Sequence, residues 1–453
     1  MSWDVAVRGG TVVTAAGPRR LDVGIADGAI AALEPALEGG AGTEVDATGL
    51  TVLPGAVDGH IHLNDPGRSD WEGFATGTRA LAAGGATVGV DMPLNASPPT
   101  VDGVASDAKV AAARGTAHVD FALWGGLVPG NLDAMDELAA RGVVGFKAFM
   151  SNSGIEDFAR ADDLTLYEGM RRAAALRLPV AVHAESEAIT AGLAARARAE
   201  GRTGVRDYLA SRPVVAETEA IARAIHLAAG AGCALHVVHV STGAGVALVA
   251  AARAGGLDVS CETCPHYLVL SEEDAEALRG LAKCAPPLRP AAERDALWNA
   301  IAAGDVPMVA SDHSPAPPEL KEGDDAFAAW GGISGCQSML ALVLGPGHRE
   351  RGLALETVAA LTAGFPARRL RLAGKGAIAI GNDADLALAA LGGEHVLRPE
   401  ELQYRHKHSP YVGRRVRARV MTTILRGRLV FAGGQVVGEP AGRLVTPSRQ
   451  ETA

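Results

Sequence analysis

Two histidines, His60 and His62, stand one residue apart at the end of an apolar run, TVLPGAVDGHIH, at 51–62. At this spacing both side chains point to the same side of a β-strand. Imidazole is the commonest nitrogen ligand of zinc-like ions, so the pair predicts a metal site where the strand ends. Taken alone, the pair is equally typical of buried histidines that make ordinary hydrogen bonds.

Lys147 lies inside another apolar run, VVGFKAFM, at 143–150. Burying an ammonium is costly, so this lysine should be neutral, paired or modified. A cation is out of place beside histidines that bind cations. A lysine that has reacted with carbon dioxide is instead an anionic carbamate, whose two oxygens are able to bridge two metal ions. The alternative is an ordinary lysine whose ammonium reaches solvent at the strand end.

Three further residues would complete two coordination spheres: His183 in VAVHAE, His239 in HVVHVS and Asp312 in VASDHSP. Asp312 could both bind a metal and transfer a proton, although an isolated aspartate at a strand end is more often a helix cap. The prediction therefore depends on the whole set of six. Two metal ions that share a water molecule lower its pKa, so that it becomes hydroxide, and polarise a carbonyl group. Such a site can hydrolyse an amide or an ester.

The elements that position these residues are eight short apolar runs, which alternate with Ala- and Leu-rich stretches of helical period. Such alternation indicates βα units and a parallel sheet. The runs lie at 51–62, 86–93, 117–124, 143–150, 179–185, 234–241, 257–264 and 306–313, and the clearest helices at 72–85, 163–177, 217–232 and 293–304. Eight units predict an α/β fold with a (β/α)8 TIM-like barrel, in which catalytic residues follow the carboxyl ends of the strands. The alternative is a doubly wound open sheet.

Both ends of the chain differ from this pattern, since they are rich in short strands and glycine turns. They predict a small β-sandwich built from both termini, which keeps the apolar strand faces out of water. We expect residues 1–53 and 370–453 to form this sandwich and residues 54–369 to form the barrel.

Composition excludes several classes of partner and compartment. With 42 Lys and Arg against 52 Asp and Glu, the net charge is -10, which disfavours nucleic acid or an anionic membrane as partner. No apolar run is long enough to span a membrane, and the N-terminal MSWDVAVRGG has an acid where a signal peptide would carry its positive charge. The five cysteines are an odd number with little pattern, so we expect a cytoplasmic protein with free thiols. The pair in CETC (261–264) could suggest zinc or redox chemistry, but a structural zinc site needs a second ligand pair.

At these residues the chain resembles the cyclic amidohydrolases of the amidohydrolase superfamily, and within them the allantoinase family. The resemblance covers almost the whole length. Its general elements are PGAVDGHIH, GFKAF, HAE, HVS and SDH, and its more specific ones are NDPGRSDWEGF, DMPLN, FKAFMSNSGIEDF, CETCPHYL, SDHSPAPPELK, WGGISG and YRHKHSPYVG.

The resemblance implies a role for each of the six residues. His60 and His62 would bind one metal with Asp312, His183 and His239 would bind the other, and Lys147 as N6-carboxylysine would bridge them. The metals would be two divalent ions per subunit, zinc in the first instance with cobalt or manganese as alternatives, and carbon dioxide would be needed for the modification. A hydroxide held between the metals would attack the ring carbonyl of allantoin, and Asp312 would pass its proton to the departing ring nitrogen, giving allantoate. The family also implies a homotetramer that acts on a small molecule.

Single positions distinguish the related activities. Dihydroorotases usually carry an arginine where this chain has Asn64, and dihydropyrimidinases and hydantoinases usually place a tyrosine where it has 151–153, Ser-Asn-Ser. Both differences favour allantoin, with a hydantoinase or dihydropyrimidinase as the alternative activity and a non-catalytic scaffold as the alternative class. The positions that would contact the ring are Asn95, Cys264, Gly331 and Gly332. Each also has a structural interpretation, as a turn former, a small core residue or a tight bend.

Overall fold

The computed structural model describes residues 2–448, and its strands fall into a barrel and a sheet built from both termini. In chain order the strands are β1 (Trp3–Thr14), β2 (Gly17–Ala26), β3 (Ala29–Glu34), β4 (Ala41–Asp46), β5 (Thr51–Pro54), β6 (Ala56–Ile61), β7 (Ala86–Asp91), β8 (Asp120–Leu123), β9 (Gly125–Gly126), β10 (Phe146–Phe149), β11 (Val180–His183), β12 (Leu235–Val237), β13 (Val259–Thr263), β14 (Met308–Val309), β15 (Leu386–Ala390), β16 (His395–Val396), β17 (Arg415–Val416), β18 (Arg419–Leu425), β19 (Arg428–Ala432) and β20 (Gln435–Val436).

The barrel is formed by parallel strands in sequence order. β6, β7 and β8 pair in one sheet, and β9 to β14 pair in another. The two sheets join where the Val144 amide donates to Leu123 O, and the ring closes where the His62 amide donates to His313 O at 2.7 Å. Closure distinguishes this fold from a doubly wound open sheet, so the predicted α/β barrel is confirmed. Each of the eight predicted apolar runs contains a barrel strand.

The strands from both termini form one nine-stranded sheet where the sequence predicted a small β-sandwich. Its order is β20-β19-β18-β15-β5-β1-β2-β3, with β4 paired to β1. This strand-rich layer has a separate core, which includes Val7, Val23, Ile25 and Leu386.

One predicted run crosses from one layer to the other. Residues 51–62 were expected as a single barrel strand, but β5 pairs with β1 and β15 of the terminal sheet, whereas β6 pairs with β7 of the barrel. Gly55 separates them, and a Cβ there would lie 2.3 Å from Thr87 Oγ1. The division between layers at 53/54 and 369/370 stays a proposal, and residues 1 and 449–453 lie outside the described chain.

Helices follow most barrel strands. They are α1 (Phe74–Ala83), α2 (Gly103–Ala113), α3 (Met135–Ala140), α4 (Asp163–Ala175), α5 (Glu187–Ala199), α6 (Val205–Ala210), α7 (Val214–Ala231), α8 (Gly243–Ala254), α9 (Pro265–Val269), α10 (Glu272–Leu278), α11 (Ala291–Ala303), α12 (Met339–Leu342), α13 (Leu355–Ala359) and α14 (Phe365–Arg369). Short 3-10 turns cover Leu132–Ala134, Arg279–Ala282, Pro318–Leu320, Cys336–Ser338 and Pro399–Glu401, and π-helical turns cover Val343–Glu350 and Ala360–Gly364.

Local chemistry explains where several helices begin and end. Asp102, Asp162 and Thr242 cap α2, α4 and α8 by accepting from the amide three residues on. α7 and α11 end at Gly232 and Gly304, which have positive φ angles of 64° and 81°. The four predicted helices are confirmed as α1, α4, α7 and α11. No helix in residues 2–448 combines the length and apolar character needed to cross a membrane.

Candidate metal centre

The six predicted ligands come together at one end of the barrel, because they lie at or just beyond the carboxyl ends of its strands. His60 belongs to β6, Lys147 to β10 and His183 to β11, whereas His239 and Asp312 follow β12 and β14. All six are buried. The four histidines and Asp312 line the floor of a cavity of about 510 Å³.

His60, His62 and Asp312 form the first group. Oδ1 of Asp312 lies 3.2 Å from Nε2 of His60 and 3.5 Å from Nε2 of His62. One potential ligand atom from each residue lies within 4.8 Å of the others. Two imidazole nitrogens and a carboxylate oxygen at these separations are a donor set that suits a divalent ion.

His183 and His239 form the second group. Nδ1 of His183 lies 3.0 Å from Nε2 of His239. The other ring nitrogen of His183, Nε2, lies 2.8 Å from Glu185 Oε2, so it carries the hydrogen and leaves Nδ1 as an acceptor. Burial lowers the pKa of both histidines, and the neutral imidazole that this favours is the form that binds metals.

Lys147 lies between the two groups as an amine without a partner. Its side chain is completely buried, and Nζ has no hydrogen-bond partner among the described residues. Nζ lies 5.0 Å from the centre of the Phe149 ring. Burial lowers the pKa of Lys147 to about 7. A buried amine that lacks an acceptor and stands close to His183, His239 and Asp312 fits conversion to a carbamate, so the donor set as a whole fits two divalent ions.

Glu262 holds one of the predicted ligand histidines in place, although the sequence analysis did not single it out. Its Oε1 accepts from Nδ1 of His60 at 2.5 Å, and its Oε2 lies 3.0 Å from Nε2 of His236. Burial would raise the pKa of Glu262, but these histidines outweigh it and lower that pKa to about 2. The carboxylate fixes the His60 ring so that Nε2 faces Asp312. His236 is linked to the centre through this carboxylate.

Glu185 plays the same part for His183. Its Oε2 forms an ion pair with Arg212, which lines the cavity. Burial would raise the pKa of Glu185, but Arg212 and His183 lower it to about 2. Both supporting carboxylates could have been suspected from the sequence, because each is an acidic residue at the end of an apolar strand.

Backbone conformation turns several of these side chains into the site. His239 and Asp312 have φ angles of 40° and 46°, and Asn64 and Asn95 have φ angles of 64° and 69°. The left-handed region is unfavourable for residues other than glycine and persists where surrounding contacts fix it. The chain reverses at these positions, just beyond the strands, and at Asn95, His239 and Asp312 it presents the side chain to the cavity.

The predicted ring contacts divide into two groups. Asn95, Gly331 and Gly332 line the cavity, and Asn152 and Ser153 stand on its wall. Asn95 Nδ2 also donates to Ser314 Oγ at 3.3 Å.

Cys264 is completely buried and does not belong to the cavity lining, whereas Cys284 does. A cysteine contact to the ring would therefore come from residue 284. All five cysteines of the chain are free and buried.

Sequence comparison decides the family. A model of the amidohydrolase family matches residues 51–430, which is most of the chain. The chain belongs to the amidohydrolase family. It is 63% identical over 450 residues to a protein named allantoinase from Rubrobacter xylanophilus, with 99% of both chains covered. A second allantoinase, from Solibacter usitatus, is 56% identical and covers 98% of this chain and 97% of its own.

Solved structures of the amidohydrolase fold agree with this assignment. The L-hydantoinase of Arthrobacter aurescens superposes with a TM-score of 0.95 at 35% identity, covering 98% of this chain and 100% of that one. The dihydropyrimidinase of Brevibacillus agri gives a TM-score of 0.91 at 32% identity, with 98% and 99% covered. Amidohydrolases are hydrolases that typically depend on two metal ions, so the expectation of an enzyme is confirmed.

Proposed function

We propose that the chain hydrolyses the cyclic amide of allantoin to allantoate at a centre of two divalent metal ions. The observation that carries the proposal is the convergence of four histidines and Asp312 on one cavity floor, at the same end of the barrel as the buried, unpartnered Nζ of Lys147. Nearly full-length relatives named allantoinase, at 63% and 56% identity, support allantoin as the substrate.

Each of the six residues has a part in holding the metals. His60, His62 and Asp312 would hold one ion, and His183 and His239 would hold the other. The neutral amine of Lys147 would add to carbon dioxide, which forms the N–C bond of a carbamate and releases one proton, and the carbamate would supply anionic oxygen ligands. The donor set suits zinc, cobalt and manganese alike, and we propose zinc. When bound, two such ions activate a water molecule and polarise the carbonyl that it attacks.

Asp312 moves the proton. Burial would raise its pKa, but the adjacent His60 and His62 hold the pKa of this carboxyl below its usual value, so it is ionised and ready to accept. Oδ1 faces both histidines, and Asp312 lines the cavity in which the ring would lie. We infer that it accepts a proton from the attacking water and returns it to the ring nitrogen as the amide bond breaks.

The rest of the cavity selects the substrate. Asn64 stands where a carboxylate-binding arginine would be expected in dihydroorotases, and its Nδ2 donates to Pro315 O at 3.2 Å. A charged ring substituent would therefore lack a partner at this position. Asn152 and Ser153 offer polar groups suited to an uncharged, ureido-bearing ring.

The test is allantoate release by purified protein, run beside Lys147→Ala with the metal content of both measured. We expect activity and about two metals per chain in the parent, both lost in the variant. Metals without any turnover of allantoin would contradict the substrate while leaving the metal centre in place. Parent protein without bound metal would contradict the centre itself.

Hydrolysis of hydantoins or dihydropyrimidines is the second candidate. It is favoured by the likeness to solved structures of hydantoinases and a dihydropyrimidinase, with TM-scores of 0.95 and 0.91. Comparing kcat/KM for allantoin, hydantoin and dihydrouracil decides between the two candidates, because a cavity shaped for one ring discriminates in the transition state.

We also propose a cytoplasmic homotetramer. The absence of paired cysteines among Cys233, Cys261, Cys264, Cys284 and Cys336 supports a reducing compartment. The likeness to hydantoinases supports the oligomer. Light scattering at micromolar concentration tests the tetramer, and a monomer there would contradict it. Cell fractionation tests the compartment.

A further inference from the structure

Two lysines lie behind one wall of the catalytic cavity without any acidic partner. Lys321 is 6% exposed, and Lys283 is half-buried where it lines the cavity. Neither ammonium forms an ion pair with a carboxylate of residues 2–448. A buried cation is costly unless other groups satisfy it, so its actual partners are informative.

Those partners are backbone carbonyls of a single segment, residues 327–332, which we call the wall segment. Lys321 Nζ donates to Trp330 O at 3.1 Å and to Gly332 O at 2.6 Å. Lys283 Nζ donates to Phe327 O at 3.1 Å and to Ala329 O. Four of the six carbonyls in the wall segment are therefore turned onto two ammonium groups.

The wall segment faces the cavity along its whole length, since all six of its residues line it. Its amides are held as well: Trp330 N donates to Leu320 O and Gly332 N donates to Lys283 O, both at 2.7 Å. Gly331 therefore lies between Trp330 and Gly332, and each of these two residues has both its amide N–H and its carbonyl hydrogen-bonded. Gly331 and Gly332 line the cavity and are two of the positions that the sequence resemblance places against the ring.

Lys283 also connects the wall segment to helix α6. Its Nζ lies 4.8 Å from the centre of the Tyr208 ring, and the Tyr208 hydroxyl donates to Cys284 O at 2.9 Å. The Phe327 ring packs edge-on against Tyr208 at 5.8 Å. One lysine thus joins three parts of the cavity wall that are far apart in the chain.

We propose that Lys283 and Lys321 are positioning residues for substrate binding, which set the place of Gly331 and Gly332 by holding the carbonyls of the wall segment. The inference rests on the proposed function and extends it from the metal ligands to a wall of the cavity. Hydrogen bonds from a charged donor are shorter and stronger than neutral ones, which suits a wall made of backbone.

Substitution by methionine removes the donors and keeps most of the side-chain volume. In Lys321→Met and Lys283→Met we expect KM to rise roughly tenfold and kcat to stay within about threefold, because small displacements of positioning groups weaken binding of the ring. Bound metal should be unchanged, since the ligands lie on other elements. Lys283→Arg keeps the charge and the donors at a half-buried position, and it should restore KM to near the parent value.

Arg198→Met is the matched control. The guanidinium of Arg198 lies 5.2 Å from the centre of the Phe327 ring and pairs with Asp325, but it donates to no carbonyl of the wall segment. Removing this cation changes the charge beside the same segment and leaves its hydrogen bonds in place. Its KM should stay within about twofold of the parent, as is usual for an exposed ion pair.

The experiment measures kcat, KM and metal content for the parent, both methionine variants, Lys283→Arg and the control. Cleavage by chymotrypsin after Phe327 and Trp330 is followed in parallel, because its rate reports how accessible the wall segment is and requires no substrate of the enzyme. We expect higher KM and faster cleavage only in the methionine variants.

Unchanged KM and unchanged cleavage in both methionine variants would overturn the proposal. Loss of metal together with kcat would also overturn it, because the lysines would then support the metal centre. If the parent protein does not hydrolyse allantoin, the proposed function fails by itself. KM is then measured on whichever of hydantoin or dihydrouracil is hydrolysed. The chymotrypsin cleavage tests the wall segment whichever substrate is used.

Discussion

Nδ1 of His60 lies 2.5 Å from Oε1 of Glu262, and both side chains are 1% exposed. A ligand histidine whose second nitrogen is bound to a carboxylate has a fixed ring orientation and a more basic metal-binding nitrogen. The same carboxylate contacts His236, so one acidic residue organises two rings that stand on different strands.

Glu262→Gln should weaken metal binding more than it weakens folding. The amide is nearly isosteric but lacks the charge, and removal of such supporting groups typically lowers metal affinity about 10- to 100-fold. Competition with a chromogenic chelator measures the affinity. Glu276→Gln, which affects an exposed ion pair with Arg206, is the control and should bind metal like the parent. Equal affinity in both variants would show that Glu262 does not support the centre.

Reactivation of metal-free protein should depend on carbon dioxide and on pH. Only the neutral amine of Lys147 adds to carbon dioxide, and burial lowers the pKa of this group to about 7. Below that pH the amine is protonated and unreactive, and above it the neutral fraction approaches one. With dissolved carbon dioxide held constant, the rate at which zinc restores activity should rise as the pH increases from 6 to 8. A rate independent of carbon dioxide would contradict the carbamate.

Two adjacent glycines should respond differently to alanine. Gly332 has a φ of 143°, and a Cβ there would lie 2.2 Å from Ser314 O, whereas a Cβ on Gly331 meets nothing within 4 Å. Gly332→Ala should therefore displace the wall segment and lower both the thermal midpoint and kcat/KM, the latter by roughly 100-fold. Gly331→Ala should leave the midpoint unchanged and raise KM, because its methyl group enters the space for the ring. Calorimetry and steady-state kinetics on both variants make the comparison.

Sequence patterns predicted the barrel and the convergence of its ligands, because strand ends in a parallel barrel meet at one face whatever the intervening loops do. They did not predict any role for Lys283 or Lys321. The partners of these lysines are backbone carbonyls, which carry no residue-type signal. Glu262 was not predicted, because the cysteines of CETC are the residues that indicate zinc or redox chemistry in that segment. The break at Gly55 was missed since the apolar run continues across it without a change in composition.

Lys375 should hold the barrel and the terminal sheet together. Its Nζ lies 2.7 Å from Asp120 Oδ2 on β8, 2.7 Å from Asp385 Oδ2 just before β15, and 2.8 Å from Asp383 Oδ2. The three carboxylates are close enough to hold a cation, and the ammonium takes that place. Removing one partner from a buried ionic cluster leaves uncompensated charge, which costs about 3–5 kcal/mol.

Lys375→Met should accordingly lower the midpoint of urea unfolding while leaving the kcat of the folded fraction near that of the parent. Added Mg²⁺ or Ca²⁺ should restore part of the lost stability, because the three carboxylates then offer oxygen ligands to a divalent ion. Arg279→Met, which breaks an exposed pair with Asp324, should change the midpoint little. A midpoint for Lys375→Met equal to that of this control would show that the cluster does not join the two layers.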